Sequence, residues 1–265
     1  MQIGYLISDL NQLADVAAWG YAYAEATPGL LDPDFLDVDA DTQAADAVLA
    51  RLQTAPLPIT SLCGFMPDPE VNGLMVVGPD VDPVRLRAYV TRLFDTMQRA
   101  GIDVIGYGSG ASRWAPPGFA TDRALAQVCE FLQLCDELGR PRGVRVALEP
   151  YNRDDANLLN TVAEALNLVQ QVNLPHCQLM ADFFHMRLNG EEMDELLAAG
   201  PHLIHAHIAE PGRGRPQTTP AEHAHFLQTL RRAGYDGRVT QTGDLPAYRS
   251  PAAAAASLKR AAGAT

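Results

Sequence analysis

Eight short aliphatic runs alternate along this chain with segments of helical periodicity, and that alternation limits the fold more than any other feature. The runs are Gln2–Ile7, Ala22–Glu25, Ile59–Cys63, Val104–Gly106, Val144–Glu149, Cys177–Asp182, Leu203–His207 and Arg238–Thr242. Strands joined by helical crossovers lie parallel, because only a long connection lets the next strand start in the same direction. Eight such units predict an α/β fold of the (β/α)8 barrel type. The 265 residues suit one barrel domain over residues 1–265, and no linker, repeat or charge run divides them.

Several of the intervening helices are well marked. Asp82-Pro83 supplies an N-cap and a first-turn proline, after which Leu86, Tyr89, Val90, Leu93, Phe94 and Met97 recur on one face. Thr219-Pro-Ala-Glu222 has the capping-box pattern ahead of Phe226, Leu227 and Leu230. Thr121 is expected to cap a helix carrying the stripe Leu125, Val128, Phe131, Leu132 and Cys135. All three stripes read as outer helices packed on a barrel. The Ala-rich segment 251–262 reads as either a last helix or a frayed tail. Pro- and Gly-rich loops at 67–83, 108–117 and 211–220 each follow a strand, which in a barrel places them at the C-terminal face where active sites are built.

Composition then removes whole classes of function. Apolar residues make up 47% of the chain, enough to fill a large core. A net charge of −12 repels phosphate backbones, so nucleic acid is not expected as a partner. The only lysine is Lys259, in the C-terminal tail, which excludes Schiff-base, pyridoxal and P-loop chemistry. Cys63, Cys129, Cys135 and Cys177 lack CxxC spacing and read as reduced thiols. The start Met1-Gln-Ile-Gly-Tyr-Leu-Ile looks like a first strand rather than a signal peptide, and no run is long enough to span a membrane. A cytoplasmic protein with no membrane partner is expected.

The residues that carry chemistry gather at strand ends. The fifth run ends Val-Ala-Leu-Glu149-Pro, the sixth Leu-Met-Ala-Asp182-Phe-Phe-His185, and the seventh His205-Ala-His207-Ile-Ala-Glu210. Neighbouring strands lie about 4.8 Å apart, so such end groups can converge on one divalent cation. Mixed carboxylate and imidazole donors suit Mn, Co, Fe or Zn, with Mg also open. His205 and His207 share a face of their strand and can both point inward. Taken singly, each has an ordinary reading: Glu149 as a loop carboxylate, Asp182 as a helix cap, His185 as a packed imidazole. Arg113 and Arg213 follow Gly-rich loops and read as either anion contacts or solvated surface residues. Gly108-Ser-Gly110 could cradle an anion or make a tight turn, and Cys63 reads as a buried small residue. His202, His223 and His225 fall outside the strand-end pattern.

At these motifs the chain resembles the xylose isomerase-like sugar isomerases and epimerases, among them the ketose 3-epimerases. Glu149-Pro-Tyr-Asn-Arg, Asp182-Phe-Phe-His185-Met and His205-Ala-His207-Ile-Ala-Glu210 carry the resemblance, with Gly108-Ser-Gly-Ala-Ser-Arg113, Leu159-Asn-Thr161 and Gly234-Tyr-Asp-Gly237 extending it. The resemblance implies a divalent metal held by Glu149, Asp182 and His207, with Glu149 also the catalytic acid/base group. It implies substrate contacts from His185, Asp155, Arg213 and Glu210, although Asp155 stands where a glutamate is usual. The implied reaction is proton transfer next to a carbonyl of a small sugar or sugar phosphate, by a homodimer or homotetramer. One departure stands out. The family's fourth ligand, a glutamate closing the eighth strand, falls here on Thr242. Asp244 shares the strand parity of Thr242 and could replace it if the strand continues through Gly243, and Gln241 could do so only if the register slips by one residue. Alternatives are a keto-sugar or keto-inositol dehydratase, a barrel that binds sugar or metal without turnover, and a DNA-repair endonuclease.

Overall fold

The computed structural model describes residues 1–37, 40–210 and 218–263. Its eight strands are β1 (Gln2–Leu6), β2 (Tyr23–Ala26), β3 (Ile59–Leu62), β4 (Val104–Tyr107), β5 (Arg145–Leu148), β6 (Cys177–Asp182), β7 (Leu203–Ile208) and β8 (Arg238–Gln241). Each pairs in parallel with its sequence neighbour, and β8 returns to β1 from Gln2↔Arg238 to Tyr5↔Gln241, closing the barrel. The expected fold class is therefore the observed one. No described helix is long and apolar enough to cross a membrane.

The helices start where their sequence signals place them. Asp82 accepts hydrogen bonds from the amides of Val84 and Arg85, opening the helix Pro83–Ala100. Thr219 and Glu222 satisfy each other's backbone amides at the start of the helix Pro220–Arg232. Thr121 differs from expectation: it is the first helical residue of Thr121–Gly139, and Ala120 caps that helix without a side-chain bond. The Ala-rich segment is a helix, Pro251–Ala261, buried through Ala254, Ala255 and Leu258.

Alternation along the strands produces two distinct interiors. Outward residues such as Ile105, Val146, Leu148 and Leu179 join the helix stripes in the main core. Inside the barrel, Val104, Ala147 and Met180 make a small separate apolar cluster. The β2, β3, β7 and β8 side of that interior is polar: Tyr23, Glu25, Ser61, His205 and Thr240 are all at most 1% exposed. Barrel interiors are usually filled by branched aliphatic side chains, so a polar half needs internal hydrogen bonds to exist at all.

One buried ion pair fastens the loop after β2. Asp32, 1% exposed, receives the Arg92 guanidinium at 2.7 and 3.0 Å, and Arg92 also donates to the carbonyls of Asp37, Ala40 and Asp41. Arg92→Ala would strand the buried carboxylate, so unfolding free energy should fall by about 3 kcal/mol in urea titrations. Arg92→Lys should recover only part of that loss, because a point charge cannot repeat the fork. Wild-type stability in both variants would show that the pair contributes nothing.

Candidate metal and substrate site

Local backbone rules aim three side chains at one point. The Glu149 amide donates to the Tyr107 carbonyl at 3.0 Å, which carries the β4–β5 ladder one residue beyond the strand and keeps Glu149 on the inward face with Ala147. Pro150 then removes the next donor. Asp182 is both the last residue of β6 and an N-cap: its Oδ1 accepts from the Phe184 amide at 2.6 Å, leaving Oδ2 for the barrel axis. His207 lies directly opposite Asp182 across the β6–β7 pair.

The outcome is a compact donor set. His207 Nδ1 stands 3.6 Å from Glu149 Oε1 and 3.7 Å from Asp182 Oδ2, while its Nε2 stands 2.7 Å from Glu25 Oε1. His185 Nε2 is 3.9 Å from the same Glu149 oxygen. Atoms bound to one ion at about 2.1 Å sit roughly 3.0 to 3.5 Å apart, so His207 Nδ1 already lies close to that spacing from each carboxylate oxygen. Glu149, Asp182 and His185 also have ligand atoms within 4.8 Å of one another, as do Glu25, His205 and His207. His207 joins the two groups.

Charge is divided unevenly across the site. Burial pushes the Glu149 carboxyl up, a hydrogen bond to His207 pulls it back, and the nearby Asp182 charge adds to the rise. Burial acts the same way on Asp182, but the His207 hydrogen bond and the His185 and His207 rings outweigh it and hold Asp182 well below the usual range. Of the two carboxyls, Glu149 is therefore the one pushed toward its protonated form and Asp182 the one held toward its anion. Burial disfavours the His207 cation, yet Glu25, Asp182 and Glu149 together raise that ring well above its ordinary value.

His185 takes its orientation from the segment after β5. Its Nδ1 accepts from the Asn152 backbone amide at 3.2 Å and lies 2.9 Å from the Asn152 side-chain nitrogen. The proton is thus left on Nε2, which faces the cavity. Tyr151 stacks on the ring at 4.0 Å. Asn152 also donates to Asp155 Oδ2 at 2.7 Å, holding this half-buried carboxylate at the cavity wall. The cavity, about 760 Å³, opens at the C-terminal strand ends over Glu149, Asp182, His185 and His207. Glu210 lines it too, 4% exposed, with its nearest ionic neighbour His223 Nε2 at 3.6 Å. Arg213 lies outside the described residues.

β8 ends at Gln241, so the strand does not continue to Asp244. Thr242 lines the cavity, its amide donating to the Ile208 carbonyl at 3.1 Å. Gln241 turns the other way, accepting from the Tyr21 hydroxyl at 2.6 Å and donating to the Gly243 carbonyl at 2.7 Å. Gly243 takes φ 150°, and Asp244 beyond it is exposed at the rim.

Arg113, Gly108, Gly110 and Glu25 go beyond their sequence readings. Arg113 is neither an anion contact nor a surface residue: it is fully buried, donates to the carbonyls of Glu149 at 2.6 Å and Tyr107 at 3.2 Å, and lies against the Tyr107 and Tyr151 rings. Gly108 and Gly110 serve close packing rather than a phosphate cradle. A Cβ on Gly108 would strike Tyr151 and Glu149 Oε2, and one on Gly110 would strike the Asp155 carbonyl. Glu25, which the sequence reading passed over, touches both strand-seven histidines. It had the same signature as the others, a carboxylate closing an apolar strand. Cys63 is a partly buried thiol that burial pushes far up, which leaves it unreactive.

A family model described as the xylose isomerase-like TIM barrel matches residues 13–258. The chain belongs to that family. Among its relatives, 3-dehydro-D-guloside 4-epimerase of Escherichia coli K12 is 25% identical over 217 residues, covering 76% of this chain and 78% of the relative. A putative hydroxypyruvate isomerase of Streptomyces coelicolor is 28% identical over 221 residues, covering 77% of each. The crystal structure of a D-psicose 3-epimerase in the presence of D-fructose superposes with a TM-score of 0.76 at 17% identity, covering 99% of this chain and 97% of that one. In this xylose isomerase-like barrel, Gly108→Ala should lower unfolding free energy by about 2 kcal/mol, the usual cost of overpacking. A crystal structure of the variant should show the Glu149 carboxylate displaced. An unmoved carboxylate at full stability would mean that Tyr151 yields freely.

Proposed function

We propose that this chain is an isomerase or epimerase of a small sugar or sugar phosphate that moves a proton next to a carbonyl, with Glu149 as the proton-transfer group. The observation that carries the reading is the convergence of Glu149 Oε1, Asp182 Oδ2 and His207 Nδ1 at the floor of a sugar-sized cavity. Two carboxylates and an imidazole form a fitting donor set for Mn, Co, Mg, Fe or Zn. When bound, such an ion supplies Lewis-acid polarisation of substrate oxygens, which acidifies the neighbouring C–H bond.

The remaining chemistry falls to the chain's own groups. Glu149, pushed toward higher pKa by burial, is the stronger base of the two carboxylates once ionised and hands the proton back as an acid. Asp182 stays anionic. His185 presents Nε2–H as a donor to a substrate oxygen, and the Asp155 and Glu210 carboxylates accept sugar hydroxyls. Arg213, outside the described residues, is the further substrate contact that the family resemblance implies.

A single base on one face favours transfer between adjacent carbons, as in aldose–ketose isomerisation. Epimerisation at one carbon normally needs acid/base groups on opposite faces, and Thr242 cannot be the second one. Incubating the protein with divalent cations and a ketose panel in D2O should give deuterium next to the carbonyl. Unlabelled sugar throughout, or products that have lost water, would sink the assignment. Glu149→Gln should reduce turnover by about 10³-fold with the fold intact, a loss typical of a missing general base. A near-normal kcat would remove Glu149 from the chemistry. Thr242→Glu should raise epimerase activity on free ketoses such as fructose or tagatose. Efficient ketose epimerisation by the unmodified chain would show that the base is elsewhere.

A further inference from the structure

Glu25 lies below the cavity floor, fully buried, and both of its oxygens are engaged. Oε2 accepts from Ser61 Oγ at 2.5 Å, Thr240 Oγ1 at 2.9 Å and His205 Nε2 at 2.6 Å; Oε1 accepts from His207 Nε2 at 2.7 Å. The Tyr23 hydroxyl, from the same strand as Glu25, lies 2.9 Å from Thr240 Oγ1 and adds a second link between β2 and β8. Glu25, His205 and His207 have the composition of an ion site of their own. Hydrogen-bond spacing and four donors on one carboxylate instead make this a closed hub with no room for an ion.

We propose that Glu25 is a positioning residue that holds the Nε2–H edge of His207 and so leaves its Nδ1 facing Glu149 and Asp182. The geometry is a carboxylate–histidine arrangement with only one ring nitrogen left to face the cavity. His205 does not compete for that role: its Nδ1 is buried without a hydrogen-bond partner, and its Nε2 is tied to the same carboxylate. Glu25 comes from β2, across the barrel from β7, so the orientation of His207 is set by barrel closure and not by a mobile loop. The inference rests on the proposed cation site, and it assigns that site a supporting carboxylate.

The test is a Mn²⁺ and Co²⁺ titration of metal-free protein, alongside ¹H–¹⁵N spectra of the histidine rings. Glu25→Gln should lose affinity by about 10- to 100-fold, the usual effect of removing a ligand's carboxylate support. It should also lose the downfield Nε2–H resonance of His207 while keeping its circular dichroism. Ser61→Ala removes a donor from the same carboxylate but touches neither ring, and should bind both ions within about twofold of wild type, inside the usual scatter for a group that does not orient a ligand. If Glu25→Gln does not fold, Glu25→Asp keeps the charge one methylene short and should show an intermediate loss. Unchanged affinity in the Glu25 variants, or an equal loss in Ser61→Ala, would overturn the positioning role. Failure of the unmodified protein to bind either ion would overturn the cation site itself. The ring spectra still decide the orientation in that case, since a His207 ring without a proton on Nε2 contradicts it.

Discussion

A carboxylate buried inside a barrel must be surrounded by donors or it will not stay charged, and Glu25 shows how far that requirement reaches. Burial works against its charge, yet the two histidines hold it well below the ordinary carboxylate range. Its partners come from β3, β7 and β8 while it belongs to β2, so one side chain ties together the half of the barrel where the sheet closes. The other half is held by ordinary contacts among Val104, Ala147 and Met180. The polar half gives up some hydrophobic burial and gains a fixed arrangement of rings beneath the cavity.

The strands were legible because each is a short aliphatic run closed by a turn or a cap, and those signals are local. Glu149, Asp182 and His207 were legible for a related reason: a polar residue ending an apolar strand has one place to go in a barrel. Glu25 carried the same signal, but Tyr-Ala-Glu-Ala does not reveal that two histidines some 180 residues later face it. Arg113 was misread because its surroundings in sequence, Gly-Ala-Ser-Arg-Trp, look like an exposed loop. Only the fold brings the Tyr107 and Tyr151 rings around it. Long-range pairing, and not residue type, decides such cases.

The site's asymmetry lies at β8. The ends of β5, β6 and β7 supply Glu149, Asp182 and His207, whereas β8 is followed by the hydroxyl of Thr242. Gln241 is held outward by Tyr21, and Asp244 lies past a glycine turn, exposed at the rim, so neither is buried beside Glu149 and Asp182. The buried carboxylates of Glu149 and Asp182 therefore sit on one side of the cavity, and beyond β8 the only carboxylate among the described lining residues is the exposed Asp244 at the rim.

Asp182 uses its two oxygens for different jobs. One caps the helix Phe183–Asn189 through the Phe184 amide, and the other faces Glu149 and His207. That short helix also carries His185, so the group that would hold a cation and the group that would touch substrate share a single turn of backbone. Any ligand that draws charge from Asp182 weakens or tightens the cap at the same moment. The Phe184 amide thereby becomes a built-in gauge of occupancy, legible in its hydrogen-exchange rate without a label, a substrate or a measured turnover.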